Sequence, residues 1–378
     1  MKKVGIVTIH NSPNYGASLQ SFALYEYIRE QGADCEIIDV HRPINSDYIY
    51  ERRYSSFRNN PFTLKKRLCN FARTLLGRKS KIFLSALSEE RFNSFNSNIR
   101  CSRPYCRLSD LKKNPPIYDL YISGSDQLWN PTQPYCLEPY FLTFAPKSAK
   151  KISYATSIGI TELSEWEKLK FKEWLSTYNA ISVRERQAKI LLDSFIDKEV
   201  ITVADPTFLL DVEKWKTIAV YPKLKEKYIA VFLLSRRPEL VQYAIKLSKE
   251  SGYKLVLMKH VHMPLSDDYI LENDLGPKEF LGYLGNAGLV ITDSFHCSVF
   301  SLLMDAGNIY SYIHPGNKRG SRITDLLKTF ELEDHLLSAD FSESFAQLQS
   351  RQIDHTKKAL IIKSEQNRSK EFLDKWIK

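Results

Sequence analysis

Residues 4–40 read VGIVTIHNSPNYGASLQSFALYEYIREQGADCEIIDV and give the clearest indication of the fold. Val4–His10 is an apolar run of strand length, and Ala17–Glu30 repeats apolar residues at helical spacing. Gly32 ends the predicted helix, and Cys35–Val40 is a second apolar strand. A strand, a helix and a strand in this order predict a βαβ unit, which places its two strands in a parallel sheet.

The alternation of strands and helices continues along the chain. Strands are predicted at Tyr118–Ser123, Ile152–Thr156, Ala180–Val183, Tyr228–Leu234, Lys254–Met258, Leu289–Thr292 and Tyr310–Ile313. Helices are predicted at Pro238–Glu250, Pro277–Asn286, Ser298–Asp305 and Ile323–Thr329, and the tail from Phe341 to Lys378 is helical in pattern. A chain of 378 residues exceeds what one hydrophobic core usually serves. We therefore predict an α/β protein with two Rossmann-like lobes and parallel sheets, residues 1–180 and 181–355, on either side of a cleft.

The composition is that of a globular protein. Hydrophobic residues make up 43% of the chain and charged residues 26%, which excludes wholesale disorder. No uninterrupted apolar run approaches the roughly 20 residues that a membrane-spanning helix needs. The apolar stretch at the N-terminus is too short for a signal peptide, and Asn11 and Asn14 follow where small residues would mark a cleavage site. We therefore expect a cytoplasmic protein.

The spacing of cysteines and histidines argues against metal-dependent catalysis. The six cysteines contain no CxxC pair, and the sequence has no HExxH or DxD motif. His260 and His262, with Asp267 and Asp268 beyond them, fit no established ligand spacing, so solvated loop residues are the better interpretation. We expect neither a metal ion nor a cofactor.

Residues 42–115 do not follow the βα pattern and carry the excess positive charge. Between Arg42 and Lys113 there are 17 Lys and Arg against five Asp and Glu, a net charge of +12, whereas the whole chain has +10. Such a basic insertion attracts an anionic partner: nucleic acid, a lipid surface or a phosphorylated substrate. Nucleic acid is not expected, because the insertion contains no recognised nucleic-acid-binding motif.

Within the insertion, residues 62–79 have the pattern of a basic amphipathic helix. Apolar residues recur at spacings of four, three and four, and basic residues occupy the other faces; they are Leu64, Leu68, Phe71 and Leu75, and Lys65, Lys66, Arg67, Arg73 and Arg78. Such a helix can lie on an anionic membrane or dock its apolar stripe on its own domain. Docking on the domain is favoured, because most amphipathic helices cover a core.

Two loops of the first lobe follow predicted strands. In Asn14–Ser18, Gly16 permits close approach to the backbone, and the helix start offers unpaired N–H groups. Gly124–Asn130 combines a carboxylate, amides and an indole, a mixture that suits a sugar with its hydroxyls and C–H face. The alternative for the second loop is a helix cap with Trp129 in the core, and the residues alone leave both interpretations open.

Three further stretches offer charge near strand ends. Arg184 could clamp a carboxylate or phosphate, although Glu185 could equally hold it in a structural ion pair. Ser294 is a strong N-cap type, and His296 would lie in the first turn of the helix, where the dipole and free N–H groups favour an anion. Arg322 lies at another helix start, whereas the nearby Lys318 and Arg319 have the pattern of a solvated basic loop.

Taken together, six stretches in this order resemble the polysaccharide pyruvyl transferase family. They are Asn14–Gln20, Gly124–Asn130, Ile181–Glu185, Asp205–Leu210, Ser294–His296 and Ser321–Ile323, within about residues 4–330. The resemblance implies the two-lobed GT-B architecture of many glycosyltransferases, with the last helix, about residues 356–378, returning to the first lobe. It also implies transfer of a pyruvyl group from phosphoenolpyruvate to a sugar, which forms a cyclic ketal and releases phosphate.

The resemblance also suggests which residues bind each substrate. The donor side is assigned to Arg184, Ser294, Phe295, His296 and Arg322. The acceptor side is assigned to Asn14, Tyr15, Gly16, Ser125, Asp126 and Gln127. We expect His296 to act as the general acid or to bind the phosphate, and Asp126 to orient or deprotonate the acceptor. Two positions depart from the family pattern: Cys297 stands where glycine commonly follows the histidine, and Ser294 where some members have arginine.

The expected partners are phosphoenolpyruvate and a sugar of the galactose or N-acetylmannosamine type. The resemblance places this sugar in a bacterial surface polysaccharide or in its lipid-linked precursor, such as a lipid-linked oligosaccharide. Peripheral contact with the inner face of the cell membrane through residues 62–79 would bring the enzyme to such a precursor. The alternatives are a GT-B glycosyltransferase that uses a nucleotide-sugar, and a non-catalytic basic protein that binds a membrane surface or nucleic acid.

Overall fold

A computed structural model of the chain describes residues 1–43, 45, 47–49, 68, 84–133, 135–258, 264–316 and 321–378. Of the predicted amphipathic helix at residues 62–79, only Leu68 is described. His260, His262, Lys318 and Arg319 also lie outside the described residues. The predictions made for these segments therefore stay predictions.

The first lobe is built on a parallel sheet. Its strands are β1 (Lys3–Val7), β2 (Asp34–Ile37), β3 (Leu120–Ser123) and β4 (Lys150–Ser153), in the spatial order β2-β1-β3-β4. The register pairs Val4 with Cys35 on one side and with Leu120 on the other. Because β1 lies inside the sheet and is covered on both faces, its apolar run is buried, as the sequence predicts for a parallel sheet.

The first sheet continues beyond the predicted lobe boundary. Strands β5 (Ile181–Val183) and β6 (Val200–Thr202) pair in parallel, and isolated bridges from Ile152 to Ala180 and from Thr156 to Val183 join β5 to the β4 side. The predicted division at residue 180 therefore falls inside the first sheet, and the second lobe begins later. The apolar pattern of β5 predicts a strand, but the partner with which the strand pairs is not encoded locally.

The second lobe has its own parallel sheet. Its strands are β7 (Tyr228–Phe232), β8 (Lys254–Met258), β9 (Ile270–Glu272), β10 (Leu289–Thr292) and β11 (Ile309–Ser311), in the spatial order β11-β10-β7-β8-β9. The predicted ranges of β8 and β10 are confirmed, whereas the three-residue strands β6 and β9 are missing from the prediction. Strands this short carry too little apolar pattern to be recognised from sequence.

Helices pack on both sheets. In the first lobe and the segment after it they are α1 (Tyr15–Glu30), α2 (Ala86–Asn96), α3 (Leu108–Lys113), α4 (Glu165–Leu175), α5 (Arg186–Asp193) and α6 (Val212–Ile218). In the rest of the chain they are α7 (Pro238–Ser251), α8 (Pro277–Gly285), α9 (Phe295–Leu303), α10 (Ser321–Thr329), α11 (Phe345–Ser350) and α12 (His355–Ile377). Single turns of 3₁₀ helix occur at Glu138–Phe141, Pro206–Phe208 and Glu333–His335. Within the described ranges, no helix is both long and apolar enough to cross a bilayer.

The two lobes share part of their hydrophobic core. Tyr15 at the start of α1 stacks on Phe280 of α8, with ring centroids 4.4 Å apart and planes at 4°. Its hydroxyl donates to the carbonyl of Leu275 at 3.3 Å. An aromatic pair in this arrangement contributes about 0.5–1.5 kcal/mol beyond the area that it buries. The contact fixes the start of α1 against the second lobe.

The last helix, α12, lies against the first lobe. Tyr27 of α1 donates to the carboxylate of Asp374 at 2.8 Å, and Ser369 accepts the backbone N–H of Ala204 at 2.9 Å. The chain thus crosses from the second lobe back to the first at its end. The predicted helical tail is divided into α11 and α12, because Ser344 and Asp354 each cap the start of a separate helix.

Candidate functional site

A cavity of about 520 Å³ lies between the lobes, at the carboxyl ends of their strands. Side chains that follow β1 and β3 line it from the first lobe: Asn14, Asp126 and Gln127. Side chains that follow β7, β10 and β11 line it from the second: Arg237, Asp293, Ser294, Phe295, His296 and His314, with Arg322 from the start of α10. Parallel α/β sheets bind ligands at this edge, so the two lobes complete one candidate site.

The start of α9 faces this cavity and is prepared for an anion. The side chain of Ser294 caps the helix by accepting the N–H of Cys297 at 3.4 Å. The N–H groups of Phe295 and His296, in the first turn, donate no hydrogen bond within the described part of the chain. Free N–H groups and the positive end of the helix dipole favour a bound anion at this position. Helix α9 begins three residues before the predicted Ser298, because Ser294 is its cap.

His296 is held between the lobes. A Cβ atom added to Gly16 would lie 2.3 Å from Nδ1 of His296, so the backbone of α1 rests directly against the imidazole. Only glycine allows this approach. The sequence predicts close approach to the backbone at Gly16, and the group that approaches it is the imidazole of His296. On the other side of the ring, Nε2 lies 3.4 Å from Oδ2 of Asp205 and 3.4 Å from Nη1 of Arg184.

Arg184 and Asp205 form a buried ion pair behind His296. Nη1 of Arg184 donates to Oδ2 of Asp205, whose other oxygen accepts the N–H and the hydroxyl of Thr207 at 3.0 and 2.8 Å. Burial alone would raise the pKa of Asp205, but the positive charges of His296 and Arg184 outweigh burial and hold that pKa well below its usual value. The carboxylate is therefore ionised and can stabilise positive charge on the imidazole.

Not all donor groups of the Arg184 guanidinium form hydrogen bonds within the described part of the chain. Its Nε and Nη2 have no hydrogen-bond partner within the described residues, although the side chain is only 3% exposed. Asp126 lies 3.7 Å from Nη2, too far for a hydrogen bond. Arg184 lines a second, smaller cavity of about 80 Å³, which shares Phe295 and Arg322 with the large one. The side chain thus lies behind the wall of the main cavity.

Glu185 is not the main partner of Arg184. Its Oε1 accepts the Ser157 hydroxyl at 2.7 Å and the N–H groups of Ile158 and Gly159 at 3.1 Å each, and its Oε2 is 4.0 Å from Arg184. The expected structural ion pair exists, but it is made with Asp205. The sequence suggested the nearer carboxylate because separation in space cannot be read from adjacency along the chain.

Asp126 is an ionised carboxylate on the wall of the main cavity. Its backbone has φ = 73°, a conformation that few residues other than glycine adopt, and its Oδ1 accepts the N–H of Gln127 at 2.8 Å. Burial acts to raise the pKa of Asp126, but His296, Arg184 and Arg322 together lower it below its usual value. The cavity therefore contains a negative group on the first lobe opposite positive groups on the second.

Three of the predicted acceptor residues do not line the cavity: Tyr15, Gly16 and Ser125. Tyr15 is 3% exposed and packs in the interlobe core, and Ser125 is fully buried and donates to Asp205 at 3.3 Å. Ser125 follows β3 closely, whereas Tyr15 is the first residue of α1, and both side chains are buried in the core rather than exposed to the cavity. Asn14 caps α1 through the N–H of Ala17 at 3.1 Å and also lines the cavity.

The loop Gly124–Asn130 lies partly on the cavity wall and partly in the core. Gln127 lines the cavity, and its Oε1 accepts the side-chain amides of Asn130 and Gln133 at 3.0 and 3.2 Å. Trp129 is fully buried, stacks on Phe141 at 4.9 Å and donates to the carbonyl of Tyr140 at 3.1 Å. The core interpretation of Trp129 is therefore correct, while Asp126 and Gln127 of the same loop line the cavity.

Some residues of the site were missed by sequence reasoning. Arg237 follows β7 and lines the cavity, and its buried Nε has no hydrogen-bond partner within the described chain. His314 follows β11 and also lines the cavity. Both come after the carboxyl end of a strand, a signal that was applied to other loops and would have found them. Asp205 belongs to one of the six stretches of the resemblance, yet its role depends on contacts with distant residues.

Comparison with known proteins agrees with this architecture. UDP-N-acetylglucosamine 2-epimerase from Rickettsia bellii covers 100% of this chain and 97% of its own, with 10% identity and a TM-score of 0.52. The Neisseria meningitidis UDP-GlcNAc 2-epimerase, solved bound to UDP-GlcNAc, covers 99% of both chains, with 10% identity and a TM-score of 0.50. The spinosyn forosaminyltransferase SpnP covers 100% of this chain and 99% of its own, with 12% identity and a TM-score of 0.47. At such identities the likeness to the two epimerases concerns the fold alone, which is the two-lobed GT-B architecture.

The sequence comparison is more specific. No curated protein matches the chain. The model of the family described as polysaccharide pyruvyl transferase matches residues 14–309, well over half of the sequence. That range includes the first-lobe side of the cavity, the buried Arg184–Asp205 pair and the start of α9. On this evidence the chain belongs to the polysaccharide pyruvyl transferase family.

Proposed function

We propose that the protein transfers a pyruvyl group from phosphoenolpyruvate to two hydroxyls of a sugar, which forms a cyclic ketal and releases phosphate. The observation that carries the proposal is the gathering of His296, Arg237 and Arg322 around the free N–H groups of α9 in one cavity. Phosphoenolpyruvate has a carboxylate and a phosphate, so its pocket requires cations and oriented N–H donors rather than an apolar slot. The second lobe provides this donor side.

The first lobe provides the acceptor side. Asp126, Gln127 and Asn14 offer a carboxylate and two amides to the same cavity. These groups suit sugar hydroxyls, which both donate and accept hydrogen bonds. Two hydroxyls of one sugar ring must reach the same carbon in turn. The loop after β3 would hold the ring in the orientation in which both hydroxyls can do so.

The reaction can be written with the residues that line or support the cavity. His296 protonates the methylene carbon, positive charge develops at the central carbon, and a sugar hydroxyl adds there while Asp126 accepts its proton. Phosphate then leaves with the electrons of its C–O bond and takes up the proton that Asp126 accepted. The second hydroxyl adds to the same carbon and gives its proton to His296, so both side chains return to their starting protonation states. Asp205, 3.4 Å from Nε2, stabilises the imidazolium before the transfer.

The test is acceptor-dependent phosphate release from phosphoenolpyruvate over a panel of galactosides and N-acetylmannosaminides. We expect release only with a sugar whose hydroxyl pair can be bridged, and a product heavier by one ketal-linked pyruvyl group in mass spectrometry. His296→Ala should abolish release while circular dichroism and the melting temperature stay close to wild type. Near-normal turnover of the variant would remove His296 from the mechanism.

A nucleotide-binding experiment distinguishes pyruvyl transfer from the alternative activity, transfer of a sugar from a nucleotide-sugar. A glycosyltransferase that uses a nucleotide-sugar would bind a nucleoside diphosphate that phosphoenolpyruvate cannot displace. The epimerase and transferase relatives support the fold of such an enzyme but not its substrate. Binding of UDP that excess phosphoenolpyruvate leaves unchanged, without phosphate release on any acceptor, would favour the glycosyltransferase and refute the pyruvyl transfer.

The acceptor belongs, in this proposal, to a bacterial surface polysaccharide or its lipid-linked precursor. The family description supports a polysaccharide as the class of acceptor. The +12 charge of residues 42–113 supports contact with an anionic membrane surface, where a lipid-linked saccharide would be presented. The enzyme would then work at the cytoplasmic face of the membrane, with residues 62–79 as its point of contact.

A further inference from the structure

A cluster of possible metal ligands lies in the first lobe, away from the cavity between the lobes. Nδ1 of His41 is 2.8 Å from Oδ1 of Asp47 and 3.4 Å from Sγ of Cys106. Sγ of Cys106 is 3.5 Å from Oδ2 of Asp47. The three side chains therefore bring a nitrogen, an oxygen and a sulfur to one point, with the ligand atoms all within 4.8 Å of one another. These are the three kinds of atom that bind zinc in proteins.

The hydrogen bonds around His41 leave one ring nitrogen directed at this point. Nε2 of His41 lies 3.2 Å from Oδ2 of Asp39, and the other oxygen of Asp39 lies 2.8 Å from Nε2 of His10. An ionised carboxylate only accepts hydrogen bonds, so Nε2 of His41 holds a hydrogen and the neutral ring has its lone pair on Nδ1. A histidine that binds a metal is typically held in this way by a carboxylate on its second nitrogen.

A lone pair on Nδ1 would repel the oxygen of Asp47 that lies 2.8 Å away. Something positive must therefore lie between them, either a second proton on the ring or a cation. A cation would in addition account for the sulfur of Cys106 beside the same point, because thiolate is a common zinc ligand. Tetrahedral zinc with its usual bond lengths separates a nitrogen ligand from a sulfur ligand by about 3.6 Å. The 3.4 Å found here is close to that value, whereas the 2.8 Å between Nδ1 and Oδ1 of Asp47 is a hydrogen-bond distance that must lengthen when a cation binds.

Backbone pairing holds two of the ligands in position. The N–H of His41 donates to the carbonyl of Tyr105 at 3.0 Å, and the N–H of Tyr105 donates to the carbonyl of Asp39 at 2.8 Å. His41 is 7% exposed, whereas the side chain of Asp47 is 54% exposed, so one side of the cluster is open to water for a fourth ligand. The fixed part of the site is thus formed by His41 and Cys106, which the chain brings together from 65 residues apart.

We propose that His41, Asp47 and Cys106 bind a zinc-like divalent cation that fastens the two ends of the basic insertion. His41 directly precedes residues 42–115, and Cys106 lies near their end. A metal bond between them closes a long loop and removes part of the entropy that the unfolded chain would otherwise have. The cation is structural: none of its three ligands lines the cavity between the lobes, and the proposed reaction does not use it.

The test uses the full chain, stripped of metal with a chelator and then titrated with zinc or cobalt alone. We expect one equivalent to bind in competition with a chromophoric chelator, a thiolate-to-cobalt charge-transfer band, and a higher melting temperature with zinc. Cys106→Ser should remove the band and weaken zinc binding at least tenfold, and Asp47→Asn, at an exposed side chain, should weaken it without unfolding the protein. Cys101→Ser is the matched control, because this exposed thiol lies five residues away outside the cluster and its loss should change nothing.

Several outcomes would overturn the proposal. The absence of stoichiometric binding by the unmodified chain would mean that a second proton, not a metal, lies on His41. A cobalt band that persists in Cys106→Ser, or disappears in Cys101→Ser, would place the thiolate ligand elsewhere. The melting temperatures of metal-free wild type and metal-free Cys106→Ser show whether the substitution itself damages the fold. Loss of a metal ligand should reduce the increase in melting temperature that zinc causes, without lowering the melting temperature of the metal-free protein.

Discussion

Replacing Gly16 with alanine should displace the imidazole of His296 while leaving the rest of the site in place. The added Cβ would lie 2.3 Å from Nδ1 and 2.5 Å from Cγ of His296, whereas ordinary contact begins at 3.4 Å. The ring or the helix start must therefore move by about 1.1 Å. Catalytic groups tolerate about 0.5 Å of displacement, and a misplacement of about 1 Å costs on the order of 100-fold in rate. We expect phosphate release to fall by about that factor.

The effect on stability should be smaller than the effect on rate. Alanine is the better helix former by about 1 kcal/mol, but forcing a methyl group into a filled space costs about 1–3 kcal/mol. The clash therefore exceeds the gain in helix propensity, and we expect a net loss of about 1–2 kcal/mol in the free energy of unfolding. Urea denaturation at pH 7 measures this loss, and initial rates of phosphate release measure the catalytic effect.

A matched control separates displacement of the imidazole from general damage. A Cβ at Gly5 would lie 2.3 Å from the ring of Tyr118, a clash of the same size far from the cavity. Gly5→Ala should therefore lose stability but keep its rate under conditions where it is folded. Gly16→Ala should cost less stability once His296→Ala has removed the ring, because only the contact with Cβ of residue 296, at 2.8 Å from the added carbon, then remains. A Gly16→Ala enzyme with a rate within twofold of wild type, or one equally destabilised in both backgrounds, would refute the reasoning.

Three further predictions concern charge. Asp205→Asn removes the hydrogen-bonded counter-charge of the buried Arg184 guanidinium, whose other two neighbouring carboxylates lie 3.7 and 4.0 Å away, and should cost about 3 kcal/mol of unfolding free energy. Because the pKa of Asp205 is lowered in the folded state, this contribution is present above about pH 4 and decreases as the pH falls towards the folded pKa. The urea midpoints of variant and wild type should therefore converge in acid, and a constant difference would contradict the pairing. Arg237→Gln should raise the KM for phosphoenolpyruvate about tenfold or more with little change in kcat, since a hydrogen bond to a charged group contributes about 1.5–3 kcal/mol. Arg236 is the exposed neighbour of Arg237, and Arg236→Gln should leave the KM unchanged. Replacing the three basic residues 65–67 with Glu should release the protein from anionic vesicles in a flotation assay without changing turnover of a soluble acceptor, and unchanged flotation would count against membrane contact.

Cationic side chains are concentrated around the start of α9. Phe295 lies between two guanidinium groups, with Arg184 4.5 Å and Arg322 5.7 Å from its ring centroid. The aromatic face shields each cation from water, which strengthens its interaction with an anion at the adjoining helix start. The acidic groups nearby accept hydrogen bonds within the protein: Asp205 from Arg184, Asp293 from the N–H of Leu234 at 2.6 Å, and Asp126 from the N–H of Gln127 at 2.8 Å.

Much of the architecture could be predicted because it depends on local pattern. The strands Lys254–Met258 and Leu289–Thr292 are buried on both faces of a parallel sheet. Each strand therefore begins and ends close to where its run of apolar residues begins and ends. The loops at the carboxyl ends of strands are equally local, and most of the residues predicted there line the cavity. The predicted range of α9 begins at Ser298 because it follows the apolar periodicity. The helix itself begins at Phe295, directly after its cap at Ser294.

The order of strands and helices, and the type of residue at each strand end, are determined by the sequence itself, because backbone propensity and hydrophobic period act over a few neighbouring residues. Tertiary structure alone decided which distant groups meet: Asp205 rather than Glu185 with Arg184, Gly16 beneath His296, and Tyr15 in the core between the lobes. Such pairings depend on how two sheets pack and on which charges lose their water together. No local pattern records either quantity.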